Sequence, residues 1–595
     1  MQSLDFKSIT GFDPNPMQAA MWDRVVSDDC AVLLKSPTGS GKTEAVVAPS
    51  LAKGRRLFMI FPARSLVEDQ IGRLESLFTR QSKEGKRLSL VVDTGGRSER
   101  RVFEHGKEAT AQQFNSRRHL YDGDVIVTTL DKFLYRFFGF GEEQKSYIFP
   151  FRIFHGLRRN LFVFDEAHAY EDTAFTNFVR LIKALYTANL DLVVMTATMP
   201  ADYAKELDFL AKPLDFVDER RTELGDWQRQ RDSQSDFTKT LRYVSLRGKT
   251  TIGDAIVKQA KTRRAENQRL IVTVETVEDA VTVWEQLGKP LLYHGRLDGE
   301  QRRKVYKDLK QREEKNTDYT LVTTSAIEVG CDLNANCLIT EICNPASLIQ
   351  RAGRCNRRGD CRNSEIVVVG NSIKSFLSEV SDEQEAAFVK ALKEKSDQRF
   401  QAADFLRFMQ RGVAFDYRAE ILFDMLFEYV YEGRLENKPL HEKGLVVTRS
   451  WEPSVTLTTN KENMTHAISV PISRCAARKD EDWDKNCRVY VRYFNKRGNE
   501  YDIALKELEW GGWAYFRDMV IEVKDQFDPE MGYVTIPKPF RRWYPEGYKE
   551  TLAYFTSEEK TRTLYYLNWK PEPADTREPV ASSNVESEAE AEDAD

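Results

Sequence analysis

The apolar run Ala31-Val32-Leu33-Leu34 breaks into Ser36-Pro37-Thr38-Gly39-Ser40-Gly41-Lys42-Thr43, and the helix-compatible segment Glu44 to Val47 follows at once. A glycine-rich loop of this kind needs a strand before it and a helix after it, so the chain must contain a strand-loop-helix layer. In such a loop the backbone N–H groups cradle phosphates. Gly39 and Gly41 let the main chain curl around the anion, with Thr38 and Ser40 completing the curl. Lys42 reaches the β and γ phosphates of ATP, and the Thr43 hydroxyl ligates Mg2+ at the helix N-terminus. Ser36 stands where the strict pattern has glycine, and a Gly/Ser-rich turn between strand and helix is common. The loop alone is therefore only suggestive.

A second signature decides the matter. Leu161-Phe162-Val163-Phe164 runs directly into Asp165-Glu166-Ala167-His168. Four apolar residues ending in adjacent carboxylates describe a buried strand that delivers Asp165 to the metal and Glu166 to the attacking water. An acid-rich helix N-terminus is the competing reading. With a phosphate loop upstream, the pair points to ATP hydrolysis.

The remaining composition sets bounds. At 595 residues the chain is too long for one core. Its 41% hydrophobic and 30% charged content is that of a globular protein, and no run approaches the ~18 apolar residues of a membrane span. The N-terminus shows no secretory pattern, so a cytoplasmic location and no membrane partner are expected. Eight cysteines without any Cys-x-x-Cys pair argue against a zinc site or a disulfide framework. Net charge is −5, but the last 25 residues hold nine acids against the single base Arg577, which leaves +3 for residues 1–570. That mildly basic body fits local nucleic-acid contacts without establishing them.

Downstream, Leu270–Val274, Leu291–His294, Thr320–Thr324 and Ile366–Val369 are short β-branched runs separated by helix-length segments, the pattern of a parallel α/β sheet. Gln350-Arg351-Ala352-Gly353-Arg354-Cys355-Asn356-Arg357 follows the third of them. On a helix Arg354 and Arg357 share a face, so both guanidiniums reach one polyanion across a cleft. A solvated basic helix is the plainer alternative.

In this order the motifs resemble those of a superfamily 2 helicase across residues 11–372. Phe12, Pro16 and Gln18 resemble the adenine-reading motif. Phe61–Leu66, with Arg64, and Asp124–Thr129, with Thr128 and Thr129, resemble the two motifs of the nucleic-acid path. Thr196-Ala197-Thr198 resembles the motif that couples ATP to strand movement, and the resemblance gives His168 and Gln350 coupling roles too. Thr323–Asp332 resembles the motif in which Gly330 and Asp332 face the nucleotide and Thr324 the strand. The resemblance implies an α/β fold: two tandem RecA-like parallel-sheet domains with a helical linker and a mixed, largely β C-terminal domain. The divisions are 1–235, 236–372, 373–440 and 441–570, with an acidic disordered tail at 571–595.

Within that superfamily the chain looks like the CRISPR-associated helicase of type I interference systems. Ser36 in the phosphate loop, Ala169-Tyr170 after His168, Ile327–Asp332 and Gln350–Gly359 carry the likeness. It implies ATP-driven 3′-to-5′ movement on single-stranded DNA displaced by a crRNA-guided surveillance complex. Many such helicases carry an HD nuclease domain before the motor. Here none of the seven histidines precedes an aspartate and the phosphate loop already begins at Ser36. The expectation is a motor without its own nuclease, served by a separate HD nuclease subunit as in type I-A and type I-D systems, with type I-D preferred. A superfamily 2 RNA helicase and an ATP-gated recruitment platform with little unwinding are the alternatives.

Residues 379–395 and 402–431 mix charged and apolar residues at helical spacing and are expected to be packing helices. Leu445–Thr448, Val455–Thr458, Arg488–Tyr493 and Tyr533–Ile536 are expected strands. Arg488, Tyr490, Arg492, Tyr493, Lys496 and Phe540–Tyr544 interleave cations with aromatic faces, a composition suited either to stacking bases or to an ordinary core with exposed arginines. Arg97, Arg100, Arg101, Arg117 and Arg118 are expected either along the DNA path or in a solvated loop.

Overall fold

The computed structural model describes residues 5–573 except 38, 95–96, 113–119, 141–149, 151–158, 171, 198, 200, 211–212, 218, 232–238, 265–268, 329–330, 362, 375–380, 407, 409–414, 443–445, 452–453, 476–487, 495–499, 505–518, 524–525, 544–547, 556–560 and 569–570. It forms two compact units. One comprises residues 1–451, 529–534 and 552–564, the other residues 452–528, 535–551 and 565–595.

The first unit is α/β and contains two large sheets. Strands β1 (Ala31–Lys35), β2 (Arg56–Phe61), β3 (Leu88–Thr94), β4 (Arg97–Glu104), β5 (Lys107–Gln112), β6 (Val125–Thr129), β7 (Asn160–Phe164), β8 (Asp191–Thr196) and β9 (Leu214–Asp215) lie in the order β5-β4-β3-β6-β2-β7-β8-β1-β9. All neighbours are parallel except the β3-β4-β5 extension. Every residue of β6, β7 and β8 is buried, as expected for parallel strands covered on both faces. Leu34, Met59, Val127, Val163 and Met195 form the heart of the core.

The second sheet runs β12-β13-β11-β14-β15-β10-β16, built from β10 (Lys239–Val244), β11 (Arg269–Thr273), β12 (Leu291–Tyr293), β13 (Tyr319–Thr323), β14 (Cys337–Glu341), β15 (Ser364–Val369) and β16 (Gln398–Arg399). Only β16 is antiparallel. Parallel pairing carries the loops after β1, β2, β6, β7 and β8 to one edge of the first sheet. Ile60 is in register with Phe164, and Lys35 with Thr196.

Of the expected packing helices, Asp382–Glu394 buries Phe388, Val389 and Leu392 in the core of the second sheet. Tyr417–Glu432 packs instead on the layer of the first sheet. There Phe137 stacks on Phe423 at 6.2 Å, on Phe427 at 6.2 Å and against Tyr431 at 4.8 Å. Tyr431 Oη donates to the Phe137 carbonyl at 2.6 Å. Asp416 caps this helix and accepts from Thr173 Oγ1 at 2.7 Å and Trp451 Nε1 at 2.6 Å. The expected strand at Leu445–Thr448 is absent among the described residues. Val446 and Val447 are buried, and the Val447 carbonyl accepts from Asn177 Nδ2 at 2.9 Å, so a side chain takes the place of a ladder partner. Tyr533–Ile536 is likewise no strand: Tyr533 is fully buried and its N–H donates to the Arg296 carbonyl at 3.2 Å.

In the second unit, β17 (Ser454–Thr458), β18 (Ile468–Pro471), β19 (Arg488–Phe494), β20 (Glu500–Ala504) and β21 (Met519–Glu522) form a mixed sheet ordered β18-β17-β21-β19-β20. Pro571–Pro573 pairs with Phe540–Trp543, so the expected disorder does not begin at 571, and residues 574–595 lie outside the described residues. The side chains of Arg488, Arg492, Tyr493, Lys496 and Phe540–Tyr544 lie outside them as well. Among the described residues no helix is long and apolar enough to cross a membrane.

Truncating Phe137 removes the ring on which the returning helix sits. We expect Phe137→Ala to cost about 3–5 kcal/mol and to raise amide exchange across Tyr417–Glu432 while leaving β10–β15 protected, as read by hydrogen-exchange mass spectrometry.

Candidate functional site

The loop after β1 turns through Gly39 and Gly41, both at φ 83°. A Cβ on Gly41 would lie 2.3 Å from Gln18 Nε2, so this position needs glycine on two counts. The adenine-motif residues brace the loop from behind. Asn15 and Gln18 form a capping box at the start of the Pro16–Val26 helix, Asn15 Nδ2 donates to the Ser40 carbonyl at 2.8 Å, and Gln18 Nε2 donates to the Gly41 carbonyl at 3.1 Å. Gln18 is therefore buried and engaged with the loop, whereas Phe12 stays 44% exposed, edge-on to Phe6 at 5.7 Å. Ser36, standing where the strict pattern has glycine, donates from its Oγ to Ser40 Oγ at 2.7 Å.

Lys42 opens the following helix, and its Nζ donates to the Ser36 carbonyl at 3.2 Å and lies 4.0 Å from Glu166 Oε1. Thr43 Oγ1 donates to Gln70 Oε1 at 2.9 Å. After β7 the chain bends sharply at Glu166, whose φ of 49° is in the left-handed region, into a short turn at Ala167–Ala169. That bend directs the two carboxylates apart. Burial and the adjacent Glu166 push Asp165 up to about 7. Burial alone would raise Glu166 too, but the surrounding cations, led by Lys42, outweigh it and hold Glu166 low. Glu166 Oε2 is buried without a hydrogen-bond partner.

His168 joins the two lobes. Its Nδ1 lies 2.9 Å from Thr196 Oγ1, and its Nε2 is 3.3 Å from Gln350 Nε2. A Gln amide that donates to Nε2 requires the proton to be on Nδ1, facing Thr196. Burial depresses the His168 pKa, which keeps the ring neutral in this arrangement.

From the second lobe, Arg354 bonds the Ile327 carbonyl at 3.0 Å through Nε and the Glu328 carbonyl at 2.5 Å through Nη2. Arg357 Nε contacts Asp332 at 3.0 Å, while its Nη1 is buried with no hydrogen-bond partner. Asp332 also receives Lys310 at 3.2 Å and Arg73 at 3.4 Å. Burial opposes its charge, but Arg357, Lys310 and Arg73 hold its carboxyl well below the usual range. Arg73, Asp332, Arg354 and Arg357 line one open cleft with the phosphate loop, Asp165 and Glu166, together with Gln70, Leu66 and Cys331.

The structure thus brings Gly39, Gly41, Lys42, Thr43, Asp165, Glu166, Asp332, Arg354 and Arg357 together, with Ser40 buried in the adjoining loop wall and His168, Thr196 and Gln350 beside them. The residues expected along the strand path lie apart from the cleft lining. Arg64 is exposed at the start of the Arg64–Gln81 helix. Thr128 is buried and donates to the Asp93 carbonyl at 2.6 Å; Thr129 and Thr324 are buried too. Thr38, Thr198, Gly330, Arg117 and Arg118 lie outside the described residues. Arg97 and Arg101 belong to β4 and pair with Glu68, Glu75 and Glu99, so they form a network of ion pairs on the sheet extension.

Sequence reasoning missed Gln70 and Arg73, although their i, i+3 spacing on a helix directly after the Phe61–Leu66 motif was a usable signal. It also passed over Arg351, which is fully buried between Glu275 and Glu328 at 2.7 Å each and donates to Thr340 Oγ1 at 2.8 Å. This clamp fixes the Pro345–Ala352 helix that carries Gln350 and leads to Arg354 and Arg357.

Residues 15–207 match the DEAD/DEAH box helicase family, and residues 266–360 match the family described as CRISPR-associated nuclease/helicase Cas3, C-terminal. The CRISPR-associated helicase Cas3 of Thermoproteus tenax is 28% identical over 363 residues, which cover 58% of this chain and 56% of that one. The CRISPR-associated nuclease/helicase Cas3 of Methanothermobacter thermautotrophicus is 22% identical over 333 residues, covering 55% and 38%. The chain therefore spans about half the length, or less, of these curated relatives. Among solved structures, T. fusca Cas3-ATP superimposes with a TM-score of 0.55 at 15% identity over 89% of this chain and 72% of that one. The DUF1998 helicase MrfA bound to DNA gives 0.52 at 16% identity over 98% and 80%. Both likenesses are of fold, and with them the two parallel sheets are RecA-like.

Removing the Arg351 guanidinium leaves Glu275 and Glu328 buried without their cation. We expect Arg351→Ala to destabilise the second lobe by about 3–5 kcal/mol, seen as a lowered midpoint in differential scanning calorimetry.

Proposed function

We propose that this chain, a Cas3-like superfamily 2 helicase by its two matched segments, is an ATP-driven 3′-to-5′ translocase on single-stranded DNA that serves a CRISPR interference system. The observation that supports this reading is the meeting, in one cleft, of Lys42, Thr43, Asp165 and Glu166 from one lobe with Arg354 and Arg357 from the other. Lys42 binds the β and γ phosphates. Glu166, kept ionised by its cationic surroundings, accepts a proton from the water that attacks the γ phosphate. Arg357, with its buried Nη1 free of a hydrogen bond, completes the charge on the departing phosphoryl group, and Arg354 fixes the wall from which it reaches. Phe12 offers an exposed ring to the base.

A divalent cation fits the donor set. The Asp165 carboxyl, raised by burial and by the adjacent Glu166, and the Thr43 hydroxyl share the cleft and would hold Mg2+. When bound, Mg2+ neutralises phosphate charge. His168, bonded to Thr196 and Gln350, is suited to carry the state of the nucleotide from one lobe to the other. A crRNA-guided complex is the proposed partner that supplies the strand, in keeping with the similarity to CRISPR-associated helicases. Cleavage by a separate HD nuclease polypeptide is part of this proposal; the 595 residues of this sequence contain no His-Asp dipeptide.

The test is steady-state ATPase of the purified chain without polynucleotide, with single-stranded DNA and with single-stranded RNA, alongside Lys42→Ala and Arg357→Ala. We expect DNA-selective stimulation, no turnover in Lys42→Ala, and a rate lower by roughly 10³ or more in Arg357→Ala. Retained turnover in Lys42→Ala would remove the phosphate-loop assignment. RNA selectivity would promote an RNA helicase, and indifference to both strands would promote the ATP-gated platform.

Because Asp165 carries a proton below about pH 7 in the metal-free site, the cation must displace it there. We expect the Mg2+ concentration for half-maximal activity to rise as pH falls below that value, by roughly tenfold per pH unit at the limit. A Mg2+ titration at pH 8, 7 and 6 measures it.

A further inference from the structure

The segment that returns from the Tyr417–Glu432 helix leads to Arg449, which grips two separate parts of the first lobe. Its Nε donates to Asp131 Oδ2 at 2.6 Å, and its Nη2 lies 2.5 Å from the same carboxylate oxygen. Nη2 also donates to the Pro62 carbonyl at 2.5 Å. Pro62 opens the turn whose next residues, Ala63 and Arg64, cap and start the Arg64–Gln81 helix; Asp131 lies in the first turn of the Leu130–Phe137 helix, directly after β6. One guanidinium therefore bridges the loops after β2 and β6, across 387 and 318 residues of sequence.

The bridge borders a cationic surface. Arg64 is exposed at its rim, yet the packed protein around it, and then the charge of Arg302, lower its pKa, with Asp131 opposing and Arg449 adding to the effect. Arg302, half-buried on the Gly299–Glu314 helix of the second lobe, makes no ion pair among the described residues. Arg64 thus feels two other guanidiniums from distant segments, Arg302 and Arg449, and one opposing carboxylate, Asp131, which Arg449 already holds. The mutual repulsion of these guanidiniums persists without a polyanion and is relieved by one, and arginines spaced along a surface suit the repeated phosphates of a strand. Arg449 is 51% exposed, but its donors are already directed at Asp131 and Pro62, so it acts on the turn.

We propose that Arg449 is a positioning residue for polynucleotide binding: by bridging Asp131 and the Pro62 carbonyl it fixes the turn that presents Arg64 to a phosphodiester backbone. The inference rests on the proposed strand-binding function. It adds a dependence of that function on the returning segment, which lies outside both matched family segments.

A double-mutant cycle tests it. Fluorescence anisotropy with a labelled oligothymidylate would measure affinity for the full chain and for Arg449→Ala, Arg449→Lys, Arg64→Ala and Arg64→Ala/Arg449→Ala. Basal ATPase and the KM for ATP would be measured in parallel. We expect Arg449→Ala to weaken binding roughly tenfold with basal turnover and KM for ATP unchanged. Arg449→Lys should fall between, because an ammonium reaches Asp131 but does not bridge both partners as a planar fork does. The double variant should bind no worse than Arg64→Ala alone. Fully additive losses would make Arg449 an independent phosphate contact and overturn the positioning role, as would unchanged affinity or an equal fall in basal turnover. Failure of the unmutated chain to bind the oligonucleotide would instead strike the strand-binding reading on which the inference stands.

Discussion

Parallel pairing of β2, β7, β8 and β1 is the constraint from which the chemistry of this chain follows. Parallel strands all point their carboxyl ends the same way, so loops distant in sequence arrive at one edge in fixed register. The Asp165 N–H donates to the Ile60 carbonyl at 3.0 Å and the Ser36 N–H to the Thr196 carbonyl at 3.0 Å. Backbone bonds thus set the register of the phosphate loop, the acidic pair and the Thr196 turn, and side chains such as Asn15, Gln18 and His168 brace them further. A slip of one residue in β7 would turn Asp165 to the other face of the sheet, and burial on both faces forbids it.

Charge decides what the resulting cleft accepts. Lys42, Arg73, Arg354 and Arg357 line it opposite Asp165, Glu166 and Asp332, a near balance reached without any ligand. The balance is local. Asp332 lies among three cations and stays ionised, Glu166 is held low by Lys42 and its neighbours, and Asp165 rises because burial and the adjacent Glu166 outweigh Lys42 and Arg73. The neighbouring carboxylates are therefore unlike: in one the surrounding cations outweigh burial, and in the other burial and the first carboxylate prevail. Two roles follow from two environments.

Much of this was legible in the sequence because it is local. A strand, a glycine turn and a helix are specified within about a dozen residues, and Leu161–Glu166 carries both its burial and its function in one stretch. Gln18 was legible as part of an adenine-reading motif, but its role in bracing Gly41 goes with the capping box it forms with Asn15, a signal present in the sequence and passed over. Arg351 was hidden because periodicity cannot separate a buried arginine from a solvated one; only the positions of Glu275 and Glu328 do so. Arg97 and Arg101 had the same ambiguity, since two of their acid partners, Glu68 and Glu75, lie on a separate helix while Glu99 is on their own strand. Val446 and Val447 satisfy every strand preference, yet Asn177 supplies the partner that a ladder would have supplied. Pairings of this kind span hundreds of residues and leave no periodic trace.

The contacts differ in strength according to whether they lie within a lobe or between lobes. Within the second lobe Arg351 meets its carboxylates at 2.7 Å, and within the first Arg136 is buried against Asp93 at 3.1 Å. Between the lobes, His168 meets Gln350 at 3.3 Å and Arg73 meets Asp332 at 3.4 Å, with Arg73 about a third exposed. Long, partly solvated contacts are cheap to break, whereas breaking a short, dry ion pair costs several kcal/mol. The contacts within each lobe are therefore the stronger set and those between the lobes the weaker. The chain crosses between the lobes twice. It passes from β9 to β10 and returns from Asp382–Glu394, packed in the second lobe, to Tyr417–Glu432, packed on the first. The segment that leads to Arg449 belongs to the second of these crossings, so the first lobe is held to the second through the polypeptide as well as through His168 and Arg73.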